Sequence, residues 1–150
     1  DLSEQFIRLY KQKMFKPKLK NNILHVVNDL KKRGFSQYIL SAQEQKLLGR
    51  SVDYYGVRSL FCGVFGLNNN FAVSKVSVAK QKIKPLISKG GRALFIGDTK
   101  HDLEVAQSLG ADCCLVSWGH NEPSRLYGHG CFVADSPASL LSFINTFINN

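Results

Sequence analysis

From residue 20 onward, short apolar runs alternate with stretches in which apolar side chains recur every three or four positions. The runs suit buried parallel strands and the spaced stretches suit amphipathic helices, so their alternation is the signature of stacked βα units around a parallel sheet. The pattern predicts a helix over 23–33, closed by Gly34 behind Lys31, Lys32 and Arg33, then a strand over 37–40 and a helix over 43–55 closed by Gly56. A short strand over 61–65 follows, then the loop GLNNNFAVS and a helix over 75–88. Gly90 and Gly91 break the chain before a strand over 93–96, and a helix over 101–109 ends at Gly110. A strand over 113–116 leads through SWGHNEPSRLYGHG to a short strand over 131–133 and a last helix over 138–148 behind Ser136 and Pro137.

The first 14 residues stand apart as an amphipathic helix with Leu2, Phe6, Leu9 and Tyr10 on one stripe, joined to the rest through the Lys-Pro-Lys segment at Pro17. That helix has no evident partner in the βα series, so the expected division is 1–18 as a separate remnant and 19–150 as the core, with the stripe packing on a segment outside these residues or on another subunit. Composition narrows the class. At 150 residues with 44% hydrophobic and 21% charged side chains, the chain is one domain's worth and not disordered. No apolar run approaches the ~20 residues that cross a bilayer, and the first residues lack a secretory pattern, so a soluble cytoplasmic protein is expected. Cys62, Cys113, Cys114 and Cys131 show no CxxC spacing and read as structural thiols of a reducing compartment, without zinc. The net charge of +9 is carried largely by Lys11, Lys13, Lys16, Lys18, Lys20, Lys31, Lys32 and Arg33, a basic set that would draw polyanions. These side chains fall on helix patterns without interleaved stacking aromatics, which favours a solvated face over a nucleic-acid surface.

Ligands of open parallel sheets bind outside the carboxyl ends of the strands, which singles out the residues that follow each strand. In FIGDTKHD, residues 95–102, Gly97 turns the chain and Asp98 and Asp102 recur one helical turn apart. Two acids at the end of a buried strand cost desolvation and mutual repulsion unless a cation sits beside them, and their hard oxygens suit Mg²⁺. The plainer reading is a helix cap followed by an acid that the helix dipole favours. Ser41, with Ala42, opens the segment after an earlier strand, where a hydroxyl and free helix N–H groups could hold a phosphate oxygen; alone, such a serine is a helix cap. Lys75 opens the helix that follows the short strand over 61–65 and could neutralise a transferring phosphoryl group, with Lys80, Lys82 and Lys84 as competitors. His120, in the loop after the fourth strand, is a candidate substrate contact, as is His101. Glu104 is expected to turn toward a neighbouring helix or loop.

Taken in order, strand-Ser41, Lys75 and Gly97-Asp98-Thr99-x-x-Asp102 resemble motifs II, III and IV of the haloacid dehalogenase-like hydrolases. The stretch FIGDTKHDLEVAQSLGADCCLVSWGH is similar to their phosphoglycolate-phosphatase-like branch. The resemblance covers about residues 15–150 and implies a Rossmann-like α/β core. It also implies that Ser41 binds the phosphoryl group, Lys75 stabilises it, and Asp98 and Asp102 hold Mg²⁺ in the hydrolysis of a small phosphorylated metabolite.

One family feature is absent. Motif I of these enzymes is a DxDx[TV] sequence whose first aspartate attacks phosphorus, and this chain has no D-x-D. None of Asp1, Asp29, Asp53, Asp98, Asp102, Asp112 and Asp135 that precedes Ser41 follows an apolar strand. The resemblance therefore implies a member without its first, central strand, its nucleophile and most of its helical cap, residues 1–18 being the end of that cap. Such a sheet would have unpaired edges, to be met by closing up or by a homo-oligomer, and turnover by these 150 residues would be negligible. The alternatives are a catalytically dead binding or assembly module of the same fold and a basic polyanion binder.

Overall fold

The computed structural model describes residues 2–13, 15–68 and 74–150, and the side chains of all of these except Ser3, Phe6, Ile7, Tyr10 and Lys11. Most of the expected GLNNNFAVS loop, and the Phe6 and Tyr10 positions of the first stripe, thus lie outside what is described. The chain divides into two compact units, residues 1–66 and 67–150.

In the first unit, α1 (Leu2–Lys13) carries Leu2 and Leu9 exposed to solvent. Helix α2 (Ile23–Lys32) buries Val26 and Leu30, and Gly34 follows it with φ +83°. Strand β1 (Tyr38–Glu44) leads directly into α3 (Gln45–Tyr54), which buries Leu48 and Val52, and β1 forms a two-stranded sheet with β2 (Gly63–Leu67). The basic linker is anchored by rings that sequence order does not bring together. Phe15 lies 4.6 Å from Tyr54, Tyr54 stands edge-on to Tyr55, and the Tyr55 hydroxyl donates to the Pro17 carbonyl.

The second unit contains α4 (Lys75–Lys82), α5 (Lys84–Ile87), β3 (Leu94–Gly97), α6 (Lys100–Leu109), β4 (Asp112–Val116), β5 (Phe132–Ala134) and α7 (Pro137–Asn149). The single helix expected over 75–88 is broken at Ile83, because Pro85 has no N–H to continue the ladder and restarts the chain as the short α5. The three strands form a parallel sheet in the order β3-β4-β5. Helix α6 packs on β3 and β4, and α7 on β5 and β4. Parallel strands buried on both sides read as continuous apolar runs, and the middle strand obeys this with Cys114, Leu115 and Val116 all buried. The expectation that Leu94, Phe95 and Ile96 are equally buried is corrected: Ile96 is 46% exposed and the other two are intermediate. Among the described residues β3 is an edge, paired with β4 on one side alone, and its residues lack the cover a second neighbour would give. No helix among the described residues is long and apolar enough to cross a membrane.

Candidate functional site

The carboxyl end of β3 is built around Asp102. Thr99 caps α6, its side chain accepting from the Asp102 N–H, while the Asp102 side chain reaches back to the cap, a reciprocal pairing that satisfies helix-end donors. Asp102 Oδ2 accepts from the N–H of Asp98 (3.1 Å), the N–H of Thr99 (3.1 Å) and Thr99 Oγ1 (2.9 Å). Its other oxygen, Oδ1, accepts from Lys75 Nζ in an ion pair whose side chains are 9% and 15% exposed. Both oxygens of this carboxylate, itself the buried charged group of the described core, are engaged by protein donors. Gly97 makes the arrangement possible, since a Cβ at that position would overlap the Asp102 carboxylate.

Asp98 is held differently. Its Oδ2 accepts from the His120 backbone N–H at 2.8 Å and lies 2.7 Å from His120 Nδ1, while Oδ1 accepts from no other described residue. The side chain is 29% exposed. Burial raises the Asp98 carboxyl, but the backbone N–H and ring of His120 outweigh that and hold it below the ordinary value. Gly119 lets the loop approach this closely, because a Cβ there would overlap the Asp98 carboxylate.

Of the residues singled out from the sequence, Lys75, Asp98, Asp102 and His120 are thus brought together at the end of β3, through the Lys75–Asp102 ion pair, the Asp98 N–H bond to Asp102 and the Asp98–His120 contact. Ser41 and Ala42 belong to the other unit. Ser41 does not follow its strand, as expected, but lies inside β1, where its Oγ accepts from the Gln43 N–H at 3.1 Å. The cap of the following helix is Glu44, whose carboxylate takes the N–H groups of Lys46 and Leu47. His101 and Glu104 pair with each other at 3.2 Å on the exposed face of α6, which corrects the expectation that Glu104 turns toward another element. The residue that sequence reading missed is Gly119, which seats Asp98 as Gly97, expected as the turn, seats Asp102.

The donor set bears on whether Mg²⁺ fits. Among the described residues no three His, Cys, Asp or Glu side chains form a ready metal cluster. Asp98 Oδ1 is nonetheless an unshared hard oxygen on a partly exposed carboxylate, and Mg²⁺ is commonly held through one or two carboxylates while keeping several waters. The residues therefore fit an ion held by Asp98 and water, with Asp102 committed to Lys75 and the turn.

Residues 1–116 match the family model described as haloacid dehalogenase-like hydrolase. The chain belongs to the haloacid dehalogenase-like hydrolases. No curated protein matches it. Among solved structures it is similar to a haloacid dehalogenase-like family hydrolase from Streptococcus pneumoniae, at 22% identity and a TM-score of 0.83 over 95% of this chain and 68% of that one. It is also similar to a predicted phosphatase from Clostridium acetobutylicum (20% identity, TM-score 0.79, 91% of this chain and 65% of that one). A predicted phosphoglycolate phosphatase from Haemophilus somnus aligns at 19% identity with a TM-score of 0.73, over 91% of this chain and 62% of that one. At these identities the likeness speaks to the fold, which is the family's Rossmann-type α/β arrangement, and this haloacid dehalogenase-like chain spans about two thirds of each relative's length.

Proposed function

We propose that this haloacid dehalogenase-like chain carries the Mg²⁺ and phosphate-binding part of a phosphatase that acts on a small phosphomonoester, and that these 150 residues alone do not turn over. The observation that supports the reading is the division of labour at the end of β3, where Asp98 keeps one oxygen unshared while Asp102 holds Lys75. Asp98 would hold Mg²⁺, which when bound supplies positive charge against the phosphoryl oxygens. Lys75 is fixed by Asp102, so its ammonium is positioned without reorganisation to balance charge on a phosphoryl group. His120 engages one Asp98 oxygen through its backbone N–H and ring, which fixes which carboxylate oxygen stays available. Ser41 is proposed as the hydroxyl contact to the phosphoryl group, in keeping with the family resemblance. A phosphoryl transfer of this kind needs a carboxylate nucleophile, and no D-x-D sequence is present to supply one, which is the reason for expecting no turnover.

The test is Mg²⁺-dependent phosphate release from a panel of small phosphomonoesters, by this chain and by the longest in-frame product of its gene. The expected result is release by the longer product alone, abolished by Asp98→Asn. If neither protein releases phosphate, the hydrolase reading fails for this member of the family.

A further inference from the structure

The sheet of the second unit holds another group of reactive side chains that the phosphatase reading does not use. Strands β4 and β5 run parallel, with Cys114 beside Phe132 and Leu115 beside Val133; Cys131 immediately precedes β5, and continuing that register one step back sets it beside Cys113. Neighbouring strands lie ~4.8 Å apart, inside the ~4.4–6.8 Å Cα separation that a disulfide spans. Side chains alternate between faces along a strand, which puts Cys113 and Cys131 on one face and Cys114 on the other. Contacts agree with this placement: Cys131 Sγ donates to the Cys113 carbonyl at 3.0 Å. All four cysteines are free, both members of this pair are partly accessible, and Cys114 is fully buried.

We propose that Cys113 and Cys131 are a reversible dithiol–disulfide pair that staples the start of β5 to β4 when a disulfide oxidant of the glutathione type is present. Cys131 gives up its proton and its thiolate attacks one sulfur of the oxidant, forming a mixed disulfide as one glutathione leaves and takes the proton. Cys113 then loses its proton and attacks Cys131 Sγ, and the second glutathione leaves protonated. Two S–H bonds become one protein S–S bond, and the oxidant's S–S bond is reduced by two electrons. Burial, and after it the neighbouring Cys131, push the Cys113 thiol well up, so the closing step is the slow one and quickens as pH rises. Cys114, pushed up to about 12 by burial, is no competitor. The segment closed by the bond includes Gly119 and His120, the two residues packed on Asp98, so oxidation restricts the loop that covers the carboxylate.

The test uses the Cys62→Ser chain, which removes the exposed cysteine of the other unit. It is incubated with glutathione disulfide at about pH 7 and about pH 9 and followed by intact mass, fragmentation of the linked peptides and thermal unfolding. The expected result is loss of two hydrogens, a Cys113–Cys131 link that forms faster at the higher pH, and a melting temperature raised by about 5 °C or more and restored by dithiothreitol. A Cys113→Ser version should stop at the glutathione adduct on Cys131 with no such rise. A stable adduct on Cys131 in the chain that retains Cys113, or a link to Cys114, would overturn the proposal.

Discussion

β3 and β1 each lead into a helix, and at each junction a carboxylate takes up backbone N–H groups. After β3 the cap draws groups together from a distance: Asp102 gathers two backbone N–H groups and the Thr99 hydroxyl from the turn and, 27 residues away in sequence, the ammonium of Lys75. After β1 the work is local. Glu44 takes two N–H groups of its own helix, Ser41 takes that of Gln43, and the longer tie is the side chain of Gln45, which bridges to Val64 and Gly66 of β2. The surroundings match. The largest fully buried side chains described, Leu115, Leu126, Leu140, Val105 and Cys114, are all in the second unit, whereas the first unit carries 12 basic against 5 acidic residues and several exposed apolar ones. A carboxylate beside a dense core can be worth several hydrogen bonds at once, whereas one at the edge of a thin sheet is a cap.

Asp102→Ala tests this contrast most severely. It strands the Lys75 ammonium, 15% exposed, and unpairs the N–H groups of Asp98 and Thr99. Removing one partner of a buried ion pair costs about 3–5 kcal/mol, which urea unfolding would read directly. A loss under about 1 kcal/mol would make the end of β3 no tighter than an ordinary cap and would remove the contrast. The next largest effect is expected from Gly97→Ala, whose Cβ must displace the Asp102 carboxylate. Overpacking of this kind costs about 1–3 kcal/mol, and the same measurement would show it.

In the first unit the contrast predicts smaller numbers with a clear order. Glu44→Ala removes the cap of α3 and should cost about 1 kcal/mol. Ser41→Ala loses one local bond inside a strand and should stay within about 0.5 kcal/mol. If Ser41→Ala proved the more damaging of the two in thermal unfolding, Ser41 would be a structural residue of β1 and its proposed place at the phosphoryl group would lose its support.

The same contrast explains what was legible in the residues. The Gly97-Asp98-Thr99-x-x-Asp102 spacing announced itself because strand, glycine turn and helix each leave a periodic mark, and the acids fall where those marks meet. The elements of the second unit were readable for the same reason, apart from the helix that Pro85 breaks. The end of β1 is not legible because YILSAQE has no glycine to stop the strand, and a polar Ser41 marks no end when the strand carries on through it to Glu44. The exposure of Ile96 was hidden too: an apolar run shows that a strand suits burial, but the neighbours that complete the burial are set by topology. Nor could spacing reveal that Gly119 seats Asp98, since the two are 21 residues apart and meet through a loop.

The smallest effect concerns Asp98 and pH. The Asp98 carboxyl is lower in the folded chain than its ordinary 3.8, with burial opposing and the His120 backbone N–H and ring prevailing. A group depressed on folding adds stability that is fully present above its unfolded value and lost as pH falls through the folded one. Asp98→Asn cannot titrate, so the advantage of the native chain over this variant should be level near neutral pH and should shrink as pH drops through about 3.8 and below. Because the His120 ring is almost wholly exposed, the advantage should be under about 1 kcal/mol and should fall further in high salt. Urea unfolding of the pair across that pH range is the measurement. An advantage that grew on acidification would mean that Asp98 is raised on folding, and that His120 does not hold it as an anion with one oxygen left to bind a cation.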